Sequence, residues 1–323
     1  MVAGDATGSG GAAVVSRWPN GARCAVLISV DFDAELPILA ADPANAAREK
    51  TLSVGRYGAR RGTDRLLAAL ADAGVRATWF VPGRTVELHP GAVGEVHGAG
   101  HELANHGHRH EDFDVLTVSE QVDAVRRGSA ALAELAGQRP RGFRTPLGSW
   151  KPGLAGRLAE LGVTWSSSGF GDDLPYLHPD ADLVEIPLHH ELHDHPYFFF
   201  NLQPPFPAGQ SRIAPYRQVL GNWTQEFTAY HRFGLCYVLR LQPEVIGTPA
   251  RIGLLRELFE HIRGHDDVWF GTGGEIADWW RARRVPNDPG HPADLFATLT
   301  ATPGTALTAT PTAALSAAPT EAS

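Results

Sequence analysis

Between residues 20 and 285, apolar runs of strand length alternate with segments whose apolar residues recur at helical spacing. This order belongs to a parallel α/β domain, because each parallel strand needs a crossover before the next can pair with it. Strands are predicted at Cys24 to Val30, Val75 to Val81, Glu102 to Asn105, Gly142 to Pro146, Val163 to Ser167, Leu183 to Leu188, Leu235 to Leu241 and Val268 to Gly271. Helices are predicted at Asp64 to Ala73, Val118 to Ala136, Leu154 to Leu161, Tyr216 to Tyr230, Arg251 to Arg263 and Glu275 to Arg283. No linker interrupts the series, so one domain is expected over residues 19–286, its strands forming a closed or nearly closed barrel rather than an open sheet. Residues 1–18 are rich in Gly, Ala and Ser, and residues 287–323 in Ala, Thr and Pro; both ends are expected to be disordered, since neither can offset its ordering entropy by burial.

Composition narrows the partners. Asp and Glu number 36 against 28 Lys and Arg, a formal charge of -8, so the attraction that holds a protein to nucleic acid or anionic lipid is missing. No run approaches the roughly 20 apolar residues of a membrane span. The first residues, Met1 to Gly10, lack the basic start and apolar core of a secretory signal, and a cytoplasmic protein acting on a small intracellular molecule is expected. Cys24 and Cys236 each sit in an apolar run, where packing as buried thiols is the expectation.

Chemistry in such a fold collects after the strands. The first run ends Asp31-Phe32-Asp33, which places two carboxylates on one face with Phe32 turned away. A bound cation would relieve their repulsion; the alternative is a solvated strand end. After the third run comes Asn105-His106-Gly107-His108-Arg109-His110. His106 and His110 are spaced to reach one ion, and with Asp33 they would form a two-histidine, one-carboxylate site with open positions, unless the turn is a solvated loop. Zinc suits these ligands, and Co2+, Ni2+ or Fe2+ are not excluded. Arg144 ends a further strand in Gly142-Phe143-Arg144-Thr145-Pro146, where it would either hold a carboxylate ionised or close a loop through backbone carbonyls.

The order of these motifs resembles the polysaccharide deacetylase family, and the likeness covers most of residues 22–283. The branch it resembles contains peptidoglycan deacetylase-like proteins, cyclic imide hydrolases and metal-independent allantoinases. The segments that carry this placement are Ala77 to Gly83, Gly171-Asp172-Asp173-Leu174-Pro175-Tyr176 and Gly274-Glu275-Ile276-Ala277-Asp278-Trp279-Trp280. The resemblance implies a distorted (β/α)7-type barrel and metal-dependent hydrolysis of acyl groups, in carbohydrate metabolism for much of the family. By position it makes Asp31 the general base, Asp33, His106 and His110 the metal ligands, and Arg144 the residue that orients Asp31. Trp150, Asp173, Tyr176 and Glu275 are taken as substrate contacts on the same grounds. A homo-oligomer is also implied, for which Phe198, Phe199 and Phe200 offer an interface if they are not core residues or an aromatic substrate wall.

One position departs from the branch. A histidine that serves as general acid is expected near residue 240, and Gln242 stands there in Leu239-Arg240-Leu241-Gln242-Pro243. Glutamine hydrogen-bonds an oxyanion but cannot protonate a leaving nitrogen. The stretch from His189 to His195 holds four histidines, of which His190 or His193 is expected to supply the missing acid. Amide hydrolysis of the deacetylase type is the first expectation and cyclic imide opening the second, since an imide expels the better leaving group. A ligand-binding protein without turnover and a non-haem iron oxygenase are the readings from other classes.

Overall fold

The computed structural model describes residues 17–200, 213–294 and 297. At its centre β1 (Cys24–Asp31) pairs in parallel with β8 (Cys236–Leu241) along one edge. Its other edge is shared by β9 (Val268–Phe270), opposite Cys24 to Val26, and β2 (Thr78–Val81), opposite Ser29 to Asp31. From β2 the sheet continues in parallel through β3 (Glu102–Asn105), β4 (Gly142–Phe143), β5 (Trp165–Ser166) and β7 (Val184–Glu185), and the antiparallel β6 (Tyr176–Leu177) ends the order. The ring is completed by loops rather than by a ladder. His193 forms an isolated parallel bridge with Arg240, Asp194 N–H donates to Arg240 O at 3.1 Å, and Cys236 N–H donates to Asp173 O at 3.2 Å. This is the distorted barrel that was expected.

The helices of the first half are α1 (Leu36–Ala41), α2 (Glu49–Tyr57), α3 (Thr63–Ala73), α4 (Gly83–Leu88), α5 (Pro90–Gly98) and α6 (Val118–Ala136). Those of the second are α7 (Leu154–Glu160), α8 (His195–Phe198), α9 (Tyr216–Phe233), α10 (Pro243–Ile246), α11 (Pro249–Arg263) and α12 (Gly273–Arg283). Of these α1, α2, α4, α5, α8 and α10 were not expected. They are four to nine residues long and each carries Pro or Gly, too short to display a helical period.

Side-chain alternation along β1 separates two interiors. Val26, Ile28 and Val30 face the helices and join Leu66, Leu70, Phe227 and Leu255 in the larger core. Ala25 and Leu27 point into the barrel, where they meet Phe80, Trp165, Val238 and Trp280. The next two inward positions are Ser29 and Asp31, and on β8 the inward series runs Cys236, Val238, Arg240, then Gln242 just past its end. The barrel interior is therefore apolar at the amino ends of its strands, where α12 plugs it, and polar at their carboxyl ends. Polar groups so buried need partners, and that need shapes everything at the carboxyl end.

The expected boundaries shift outward. Trp18 is buried against Trp269 and Trp280, and His291 packs on Tyr176 with ring centroids 4.5 Å apart. Asn287 likewise bonds the backbone of Leu177, and residues 1–16, 295–296 and 298–323 lie outside the described residues. Phe198 is a core residue packed on Trp223, and Phe199, also buried in that core, lines a small cavity with His195 and Gln242. Cys24 and Cys236 are both buried free thiols.

Candidate metal centre

Asp33, His106 and His110 converge at the polar end of the barrel, their ligand atoms all within 4.8 Å of one another. Three local devices bring them there. Asp33 lies two residues beyond Asp31, so the chain presents both carboxylates to the interior while Phe32 packs edge-on to Trp79. Asn105, the last residue of β3, accepts from Gly107 N–H at 2.7 Å and donates to Val125 O and Ser129 Oγ of α6. Gly107 (φ 70) and His110 (φ 60) both take the left-handed backbone, which Gly adopts freely and His at some cost. Glu111 closes the turn by accepting from the backbone N–H groups of His108 and Arg109.

His106 Nδ1 donates to Arg144 O at 2.8 Å, which leaves the Nε2 lone pair free and aimed at Asp33 Oδ1 3.5 Å away. His110 Nε2 lies 3.6 Å from Asp33 Oδ2. Two ligands about 2.1 Å from a tetrahedral ion are separated by about 3.4 Å, so these spacings fit a shared divalent ion. Asp33 Oδ1 and His106 Nε2 are moreover buried and take no hydrogen bond among the described residues, a costly state that an ion would relieve. Burial pushes Asp33 up to about 6 and outweighs the opposing effect of His106. It pulls His110 down to about 4, and the neutral imidazole is the form that ligates.

Asp31 does not share this ligand set. Its Oδ1 accepts from Arg144 Nη1 at 2.7 Å and its Oδ2 from Arg240 Nε at 2.5 Å. Burial alone would raise its pKa, but the two guanidiniums hold it well below the usual carboxylate range. Arg144 is itself fixed on every side. It donates to Ser167 O, Ser29 Oγ and Ser167 Oγ as well as Asp31, and its guanidinium lies 3.8 Å from the centre of the Phe80 ring. Arg240 was not anticipated as a site residue, although a lone charge in the apolar run Cys236 to Leu241 on the same strand face as Cys236 and Val238 was the signal that could have found it.

Gln242 donates from Nε2 to Asp33 Oδ2 at 3.3 Å, while its backbone N–H donates to Asp194 Oδ2 at 2.9 Å. Of the histidine-rich stretch, His193 reaches the cluster. Its Nε2 is buried without a hydrogen bond and 3.8 Å from Asp194 Oδ1, and burial together with Arg240 holds it well below 6.5. His195, stacked on Phe199, is also drawn down, to about 4, chiefly by burial. His190 is a correction: it is exposed and stacks on Phe170 at the surface. Glu275 is a second, since it closes the capping box of α12 and pairs with Arg76, at the opposite end of the barrel. Asp173 is a third; it binds His189 and lies beside Cys236, at the start of β8. Trp150 stacks on His178 in a separate cleft that Tyr176 also lines, connected to the cluster through the Trp150 hydrogen bond to Thr145.

The sequence model of the polysaccharide deacetylase family matches residues 56–166. A Mycobacterium smegmatis protein whose crystal structure carries a provisional polysaccharide deacetylase designation is 35% identical; the match covers 84% of this chain and 94% of that one, with a TM-score of 0.80. The peptidoglycan deacetylase of Helicobacter pylori is 25% identical over 70% of this chain and 86% of its own length. An allantoinase crystal structure shares the fold, with a TM-score of 0.69 at 23% identity. With this fold and these likenesses, the chain belongs to the polysaccharide deacetylase family, hydrolases acting on carbon–nitrogen bonds other than peptide bonds.

Proposed function

We propose that the chain is a metal-dependent N-deacetylase acting on a small amide. The observation that carries this reading is the convergence of Asp33, His106 and His110 beside an ionised Asp31. A divalent ion at those three ligands, zinc by ligand type, supplies when bound a polarised acyl carbonyl and an acidified water. Asp31 accepts a proton from the attacking water, held in position by Arg144 and Arg240. His193, the residue that bridges to Arg240, is neutral in its buried place and relays to the leaving nitrogen the proton that Asp31 has taken from the water. The small size of the substrate is supported by the burial around the cluster, where among the described residues His110, His193 and Arg240 have side-chain exposures of just 11%, 13% and 19%.

Cyclic imide opening is the second reading. Gln242, at the position of the family's acid, is engaged with Asp33, and an imide nitrogen leaves with less need of a proton. The oxygenase reading has no support in a family of hydrolases.

Metal analysis with a hydrolysis screen of amides and imides tests the proposal. Wild type is expected to bind one divalent ion and turn over an N-acetyl compound. Asp31→Asn should keep the ion and lose about 10²- to 10⁴-fold in turnover. Full turnover in a chelator, or in Asp31→Asn, would overturn it.

A further inference from the structure

The mouth of the cluster has three walls, and they differ in chemistry. His110 faces Asp33, and His193 carries its unpartnered Nε2. Arg240 uses only Nε, on Asp31; its Nη groups make no hydrogen bond among the described residues, and its side chain is the most exposed of the three. A guanidinium held at one edge and free at the other is a prepared fork for a second anion. The charge around it agrees. Asp31 and Asp33 are matched by Arg144 and Arg240, and burial pushes the neighbouring Asp194 well above the usual carboxylate range, so with Asp194 protonated the cluster is balanced before any divalent ion enters and is cationic afterwards.

We infer that Arg240 binds a carboxylate of the substrate through its free Nη edge, and that the site selects acyl compounds carrying a carboxylate close to the scissile nitrogen. Arg240 thus positions Asp31 with one edge and sets specificity with the other. The inference rests on the proposed hydrolytic site but concerns which molecules enter it, and it is tested by binding as well as by turnover.

N-acetylglycine, N-acetyl-β-alanine and the neutral N-acetylglycinamide are titrated calorimetrically into the full chain, with and without zinc, as wild type, Arg240→Gln and Arg240→Lys. At least one carboxylate probe should bind wild type about 10-fold or more tightly than the neutral amide, the margin of a charged hydrogen-bonded pair. That preference should vanish in Arg240→Gln and fall in Arg240→Lys, which keeps the charge without the fork. Wild type with no preference overturns the inference whether or not either variant folds. So does a preference that needs zinc and survives in Arg240→Gln, because the ion would then be holding the carboxylate. A preference lost with Arg240 in a protein that hydrolyses none of the probes sustains the inference and removes the deacetylase reading, whereas turnover without preference does the reverse.

Discussion

Asp33 and Gln242 are joined by a 3.3 Å hydrogen bond between β1 and the end of β8, in which the Gln242 amide donates to the carboxylate oxygen that His110 faces. Glutamine at this position therefore orients a ligand instead of titrating. Gln242→Leu is expected to weaken divalent-ion affinity by about 10- to 100-fold, the usual cost of removing a group that supports a metal ligand. Competition with a fluorescent chelator measures it; unchanged affinity would show that Asp33 holds its orientation alone.

Gly128 of α6 lies directly under the histidine turn. A Cβ there would stand 2.0 Å from Gly107 O and 2.8 Å from Asn105 Nδ2, so α6 or the turn has to move. Gly128→Ala should cost about 1–3 kcal/mol in urea unfolding, the range for overpacking, and lower metal affinity as well. A variant with wild-type affinity would mean that the helix, not the turn, yields.

The two histidines expected as acids separate cleanly. His193→Gln should lower turnover of an N-acetyl substrate by about 10²- to 10⁴-fold at unchanged metal content. His190→Gln, at the surface against Phe170, should leave turnover within twofold, roughly the noise of a surface change. Steady-state rates on both variants decide it, and equal losses would remove His193 from its role.

Glu35 gives a pH signature independent of turnover. Burial alone would raise its pKa, but hydrogen bonds from His89 at 2.7 Å and Arg56 at 3.3 Å, with its own backbone N–H, bring it down to about 2. A carboxylate lowered in the folded state stabilises above its unfolded pKa near 4.5, and that stability drains away as pH falls toward 2. Glu35→Gln should thus be less stable than wild type by about 1–2 kcal/mol at pH 7, discounted because Arg56 is half exposed, and by much less at pH 3. Denaturant titrations at the two pH values check it; a gap that stays constant would place the effect in packing.

The long elements and the two motifs that supply Asp33, His106 and His110 were legible because each motif is a local pattern. The helical period of Val118 to Ala136 and the parity of Asp31 and Asp33 are set by residues close in sequence. Arg240 shows the limit. Its meaning depends on the register that sets Ser29 opposite it, a pairing of residues about two hundred apart that no local period contains. Glu275 shows the converse error. The Thr272-Gly273-Gly274-Glu275 run is a capping box readable on its own terms, and likeness to a family motif outweighed that local chemistry. His193 and His190 differ only in where an irregular loop carries them, beyond the reach of strand parity.

The seam between β8 and the loops opposite it has one more consequence. Arg240 and His193 lie on its two sides, joined by a single bridge and the Asp194 hydrogen bond. Arg240 is held on its strand by the β1 ladder, whereas His193 sits on a loop tied to β8 by these few bonds and by Gln242 N–H to Asp194. A change in that loop would thus reshape the rim of the cluster and leave untouched the strands β1 and β3, past whose ends Asp33, His106 and His110 lie.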